Sequence, residues 1–118
     1  MPAKSNLTAR LLLATKYIND NLDKDLQTKE IAQVACISLY HFHRLFTFTF
    51  GITPARYIRV ARLERAKILL HSGHRSVSEI AFLVGYSDIY SFSKIFKREV
   101  GLSPSDFARR SQLAALTT

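Results

Sequence analysis

The sequence predicts an all-α fold of about seven helices, arranged as two helix-turn-helix subdomains joined by a long connecting helix. The first observation behind this is the stretch from Ser76 to Pro104. Ser76 followed three residues later by Glu79 is a capping box, and Ile80, Ala81, Leu83 and Val84 supply an apolar face at helical spacing. Gly85 ends that helix; Ser87 or Asp88 caps the next, whose Phe92, Ile95, Phe96 and Val100 recur at helical intervals. The second observation is that the pattern occurs twice. Glu30, Ile31, Ala32 and Ser38 match Glu79, Ile80, Ala81 and Ser87 at constant offset; after one extra residue in the second copy, Tyr40, Phe42, Phe46, Gly51 and Pro54 match Tyr90, Phe92, Phe96, Gly101 and Pro104. The third is that Thr53-Pro54 and Ser103-Pro104 each place a capping hydroxyl before a proline at the first helical position, so each starts a new helix.

Taken in order, residues 1 to 5 are expected to fray. From Asn6, a plausible cap, Leu7, Leu11, Ala14, Ile18 and Leu22 mark the buried stripe of a helix ending near Asn21. The next helix spans about Thr28 to Ala35, with Gln27 a poor cap unless Thr28 substitutes for it. Cys36 then holds the turn position that Gly85 holds in the second copy. If the backbone there is left-handed, cysteine adds roughly 1 kcal/mol of strain that glycine avoids. His41 and His43 lie nearby in sequence, but a small buried cysteine is the ordinary reading and is preferred to a reactive or metal-binding one.

The run Phe46-Thr47-Phe48-Thr49-Phe50 alone reads as a strand. The repeat overrules this, because its counterpart from Phe96 to Val100 is good helix sequence; Phe46 and Phe50 should be core and Phe48, opposite Arg98, exposed. The connecting helix runs from Pro54 to about His71, roughly 18 residues and roughly 27 Å at about 1.5 Å per residue. Leu63, Ala66, Leu69 and Leu70 give it a core face, and Arg56, Arg59, Arg62 and Arg65 a charged one. The final helix should run from Pro104 to about Arg110 and pack Phe107, leaving Leu113 to Thr118 poorly anchored. These assignments make one domain, 1–118, with a first helix-turn-helix subdomain at 6–53, a connecting helix at 54–72 and a second subdomain at 73–112.

The formal net charge of +8 favours a polyanionic partner. Its distribution is uneven: Met1 to Phe42 carries five basic against four acidic residues, and Arg44 to Thr118 twelve against five. The excess begins within the helix that follows Ser38. One cysteine excludes an intramolecular disulfide, and no cysteine and histidine cluster has zinc-finger spacing, so neither a metal nor a cofactor is expected. No apolar stretch approaches transmembrane length and the start lacks a signal peptide's apolar core, so a cytoplasmic protein with no membrane partner is expected. Serines and histidines are present, but nothing arranges a nucleophile, a base and an orienting acid. No catalytic residue is assigned.

A short helix, a tight turn and a second helix whose outer face is small, polar and basic is what a helix-turn-helix reader of DNA requires. The second copy, G-Y-S-D-I-Y-S-F-S-K-I-F-K-R-E-V-G-L-S-P-S-D-F, resembles the signature of the AraC/XylS family of bacterial transcription regulators. The first copy and the R-L-E-R-A-K-I-L-L that follows resemble the preceding half of the same domain, so the resemblance covers nearly the whole chain.

It implies a sequence-specific binder of double-stranded DNA in the bacterial nucleoid, often an activator that touches RNA polymerase. Members commonly carry an added effector-binding or dimerisation domain and some consist of this domain alone; within this chain no such domain is expected. The base-facing positions it implies are Tyr40, His43 and Arg44 on the first recognition helix, and Ile89, Tyr90, Ser91, Ser93 and Lys94 on the second. Arginine can donate two hydrogen bonds to guanine, and Ile89, apolar where a polar residue is common, suits a thymine methyl. Ser38, Thr47, Ser87, Lys97 and Arg98 are expected to meet phosphates. With Thr47 and Phe48 where the second copy has Lys97 and Arg98, the first reader's phosphate grip should be weaker. The alternatives are a non-specific architectural DNA binder or a protein-interaction module.

Overall fold

The computed structural model describes the backbone of residues 3–117 and the side chains of residues 7–116. Among these residues it is all-α, with seven helices: α1 (Ala3–Asp20), α2 (Thr28–Val34), α3 (Leu39–Phe50), α4 (Pro54–Ser72), α5 (Val77–Leu83), α6 (Ile89–Val100) and α7 (Pro104–Thr117). The chain forms two compact units, Met1–Ala61 and Arg62–Thr118, and the boundary falls within α4.

Each unit has its own core, and the two cores repeat each other. In the first, Leu11, Ala14 and Ile18 of α1 and the following Leu22 meet Ile31, Ala32 and Ala35, Phe42 and Phe46 of α3, and Ile58 of α4. In the second, Leu63, Ala66 and Leu70 of α4 meet Ile80, Ala81 and Val84, then Phe92 and Phe96 of α6. Phe42 and Phe46 sit with ring centroids 5.5 Å apart and tilted by 49°; Phe92 and Phe96 repeat this at 5.7 Å and 50°. The repeat extends further than the sequence alignment carried it. Tyr57, three residues after Pro54, meets Phe46 edge-on at 5.5 Å, and Phe107, three residues after Pro104, meets Phe96 edge-on at 5.6 Å. Burying a phenylalanine contributes about 1.5–3 kcal/mol and a well-set aromatic pair about 0.5–1.5 more, so these rings dominate two small cores.

The turns repeat down to their hydrogen bonds. The Ile37 N–H donates to the Ala32 carbonyl and that of Cys36 to Gln33, at 3.0 Å each; in the second unit Tyr86 donates to Ala81 and Gly85 to Phe82, at 2.9 and 3.1 Å. Such paired bonds close a helix around one left-handed residue. That residue is Cys36 (φ 57°) in one turn and Gly85 (φ 99°) in the other, as the repeat required. Cys36 is exposed, however, contrary to the buried thiol the sequence suggested, because the left-handed turn carries its side chain out of the core.

Helix starts follow their caps. Ser76 accepts from the Glu79 N–H at 3.1 Å while Glu79 accepts from the Ser76 N–H at 3.3 Å, which completes the capping box. Gln27 makes no side-chain cap, and Thr28 is already helical. Thr53 and Ser103 each cap the helix that follows, accepting from the N–H groups of Arg56 and Asp106 at 3.2 and 3.1 Å. Of the two possible caps for α6, Asp88 is the one used: it accepts from the Ser91 N–H at 2.8 Å and the Ser91 hydroxyl at 2.9 Å. These bonds hold its carboxyl below the usual carboxylate range.

Four further expectations are corrected. Helix α1 begins at Ala3, so residues 3–5 are helical and Asn6 lies inside the helix; Met1 and Pro2 lie outside the described residues. Ala3 and Lys4 are good helix formers and extend a helix that tertiary packing has already paid to nucleate. Phe50 is 37% exposed, not core; it leans on Phe46 and Tyr57 with one side in solvent. Leu83 is also exposed, at the end of α5 where the turn begins. Helix α7 continues to Thr117 instead of stopping near Arg110. Its Gln112 Nε2 donates to the Leu70 carbonyl at 3.1 Å, so a side chain of α7 satisfies an orphan group at the end of α4.

Candidate nucleic-acid interface

With Phe42 and Phe46 buried, the turn-by-turn geometry of α3 leaves Tyr40, His43 and Arg44 in solvent, Tyr40 by 72%. Tyr40 and Arg44 are engaged with each other. Arg44 Nη1 donates to the Tyr40 hydroxyl at 3.0 Å, and its Cζ lies 5.6 Å from the Tyr40 ring centroid. His41, which the sequence reading weighed only beside Cys36 and not as a DNA contact, joins Tyr40, Arg44, Leu45 and Phe48 around a recess of about 330 Å³ on this face. Its signal was its position, one residue beyond Tyr40. Helix α3 contains no acidic residue to oppose a phosphate.

Of the proposed phosphate ligands in this unit, Ser38 is committed as the cap of α3, accepting from the His41 N–H at 3.3 Å. Thr47 donates its hydroxyl to the His43 carbonyl at 2.7 Å and is half-buried. Phe48 is 88% exposed. The end of α3 therefore presents an apolar ring where α6 presents cations.

On α6, with Phe92 and Phe96 inward, Tyr90 is 84% exposed and Ser91, Lys94, Lys97 and Arg98 are also exposed. Ile89 and Ser93 are half-buried, and Ser87 is exposed just ahead of the helix. The Ser91 hydroxyl donates its proton to Asp88, which leaves its oxygen to act as an acceptor. Arg98 makes a 3.4 Å ion pair with the neighbouring Glu99, a surface contact that a phosphate can displace. Lys97 and Arg98 stand in the last turn of α6, where the helix dipole also favours cations. Of the connecting-helix arginines, Arg56 and Arg65 are exposed and Arg59 half-buried, whereas Arg62 lies against the Tyr86 ring with Cζ 5.7 Å from its centroid. Among the described residues there is no cluster of three or more metal-ligating side chains, and no helix is long and apolar enough to cross a membrane.

A family model described as a helix-turn-helix domain matches residues 31–110. Similar curated proteins include the probable transcriptional regulator LumQ of Photobacterium leiognathi, 35% identical over 82% of this chain and 39% of that protein. The HTH-type transcriptional activator RhaS of Klebsiella pneumoniae (strain 342) is 35% identical over 86% of this chain and 37% of its own length. The chain thus spans somewhat more than a third of these relatives. Among solved structures, the AraC-type regulator from Chromobacterium violaceum superposes with a TM-score of 0.82 at 26% identity, covering 93% of this chain and 96% of that one. The DNA-binding domain of AdpA, solved in complex with a target DNA, shares the fold at a TM-score of 0.84 and 23% identity, covering 89% and 95%. Seven helices among the described residues, with a helix-turn-helix built twice, and these likenesses together mark a DNA-binding domain of the kind found in transcription regulators. The chain belongs to the AraC family.

Proposed function

We propose that this domain is a sequence-specific transcription regulator that inserts α3 and α6 into successive major grooves on one face of duplex DNA. The observation that carries the reading is the duplicated construction: two capped helices, each fixed by its own aromatic core, present outer faces free of core duty. The major groove is about 12 Å wide, enough for a helix, and its base edges distinguish all four pairs. Tyr40, His43 and Arg44 read bases from α3; Ile89, Tyr90, Ser91, Ser93 and Lys94 read from α6. Lys97 and Arg98 grip phosphate, with Ser38, Ser87 and Thr47 as weaker ligands since Ser38 and Thr47 already spend a hydrogen bond within their helix. The AdpA domain, of the same fold, was solved on its target DNA, which supports duplex DNA as the ligand. RhaS, at 35% identity, is named an activator, which supports activation here; the proposed route is contact with RNA polymerase at a bacterial promoter.

Selection from random duplexes tests specificity, and footprinting on the selected site tests the docking. A defined sequence should be enriched, with two protected patches about one helical turn, roughly 34 Å, apart. No enrichment means an architectural binder or a protein-interaction module. A single patch of half that extent refutes the two-groove arrangement.

A further inference from the structure

We propose that Tyr40 is a positioning residue for Arg44, holding the guanidinium in a reading pose before DNA arrives; this deepens the reading of Arg44 as a base contact and rests on it. The two residues are one helical turn apart, and helical side chains lean toward the N-terminus, so Arg44 reaches back over Tyr40. The contact uses both parts of the tyrosine. Its hydroxyl accepts from Nη1 at 3.0 Å, and its ring lies 5.6 Å from Cζ, inside the range of a cation–π interaction.

Two features make this a device for reading and not a surface ornament. The partner is neutral, and α3 holds no acidic residue, so the arginine is fixed without losing the charge that DNA attracts. A carboxylate in the same place would fix it equally well and oppose the phosphates. The bond also occupies only one of the five guanidinium donors. It leaves the Nε–Nη2 edge, a parallel pair of N–H groups, for the O6 and N7 of a guanine. In α6 the matching residues are Tyr90 and Lys94, and a lysine ammonium has no planar edge to orient. Positioning by tyrosine is therefore a property of the first reader alone.

The test begins by finding the base pair whose preference relaxes when Arg44→Ala is put through site selection. Tyr40→Phe, Arg44→Lys and the double variant are then titrated on the selected duplex, on one with that pair exchanged, and on a random duplex. Tyr40→Phe should lower discrimination at that pair about fivefold, the worth of an ordinary hydrogen bond, with melting temperature and random-duplex affinity unchanged. At that pair the double variant should discriminate no worse than Arg44→Lys, because there the tyrosine hydroxyl acts through the arginine, whatever base the Tyr40 ring itself meets. Discrimination retained within about twofold in Tyr40→Phe, or additive losses in the double, overturns the inference; so does an equal loss on all three duplexes, which would make Tyr40 a direct backbone ligand. If Arg44→Ala relaxes no pair, the failure lies in the reading of Arg44 itself.

Discussion

At φ 57° the backbone of Cys36 stands where a Cβ is crowded by its own chain, while Gly85 fills the same place without that crowding. A left-handed non-glycine residue is strained by about 1–2 kcal/mol, and glycine's freedom in the unfolded chain returns about 0.5–1 of that. Cys36→Gly should therefore stabilise the protein by about 0.5–1 kcal/mol in urea denaturation, with DNA affinity unchanged. At the same scale, Arg44→Ala and Lys97→Ala should weaken binding in different ways. Loss of the base contact should remove roughly 1–3 kcal/mol on the selected site and little on random duplex, whereas loss of the phosphate contact should weaken all duplexes alike and lower the salt slope by about one unit. Titration at several salt concentrations separates them. Equal weakening of cognate and random duplexes by Arg44→Ala would remove it from the base readers.

Elements were legible in the sequence where a local rule set them. The capping box at Ser76 and Glu79, the proline starts and the turn positions of Cys36 and Gly85 each depend on residues within a few places of one another, so spacing was enough. The length of α7 was not legible, because its Gln112 is tied to Leu70, 42 residues earlier. Nor was the start of α1, since Asn6 tolerates a helix interior as well as a cap. In the candidate site, the outward placement of Tyr40, Arg44, Tyr90 and Lys94 followed from the buried phenylalanines between them. The Tyr40–Arg44 bond did not, because it depends on rotamers that spacing permits without requiring.

The cap of α6 also gives a pH dependence. The Ser91 N–H and hydroxyl favour the ionised Asp88 carboxylate, so its pKa in the folded protein lies below the unfolded value. Its stabilisation is complete above the ordinary carboxylate range and is lost as pH falls through the lowered folded value. Asp88→Asn keeps a good cap that does not titrate. Thermal melts from neutral to strongly acidic pH should show the wild type losing stability relative to Asp88→Asn at the acid end; parallel curves would mean that the cap is electrostatically silent. On α3, Phe48→Lys should leave the melting temperature unchanged, since the ring is 88% exposed, and hold or raise affinity for any duplex by adding the cation that α6 has there. Unfolding of that variant would show the ring to be structural.

At the scale of the whole molecule, the two cores share no buried residue: Phe42 and Phe46 belong to one, Phe92 and Phe96 to the other. Replacing a buried phenylalanine by alanine removes about 3–5 kcal/mol, a large share of what a unit of this size holds. Phe92→Ala should therefore speed amide exchange across residues 62–118 before it does so across 1–61, and Phe42→Ala should reverse the order. Simultaneous loss in both would mean that the chain unfolds as a single cooperative block.

The separateness of those cores bears on how such a protein changes its address. If α3 and α6 each read a half-site as proposed, a substitution on the outer face of α6 would leave α3, its caps and its rings as they are, so a lineage could trade recognition of one half-site while the other still held it to the DNA. Each intermediate would then keep a working grip, and divergence would proceed by single steps instead of requiring both halves to move together.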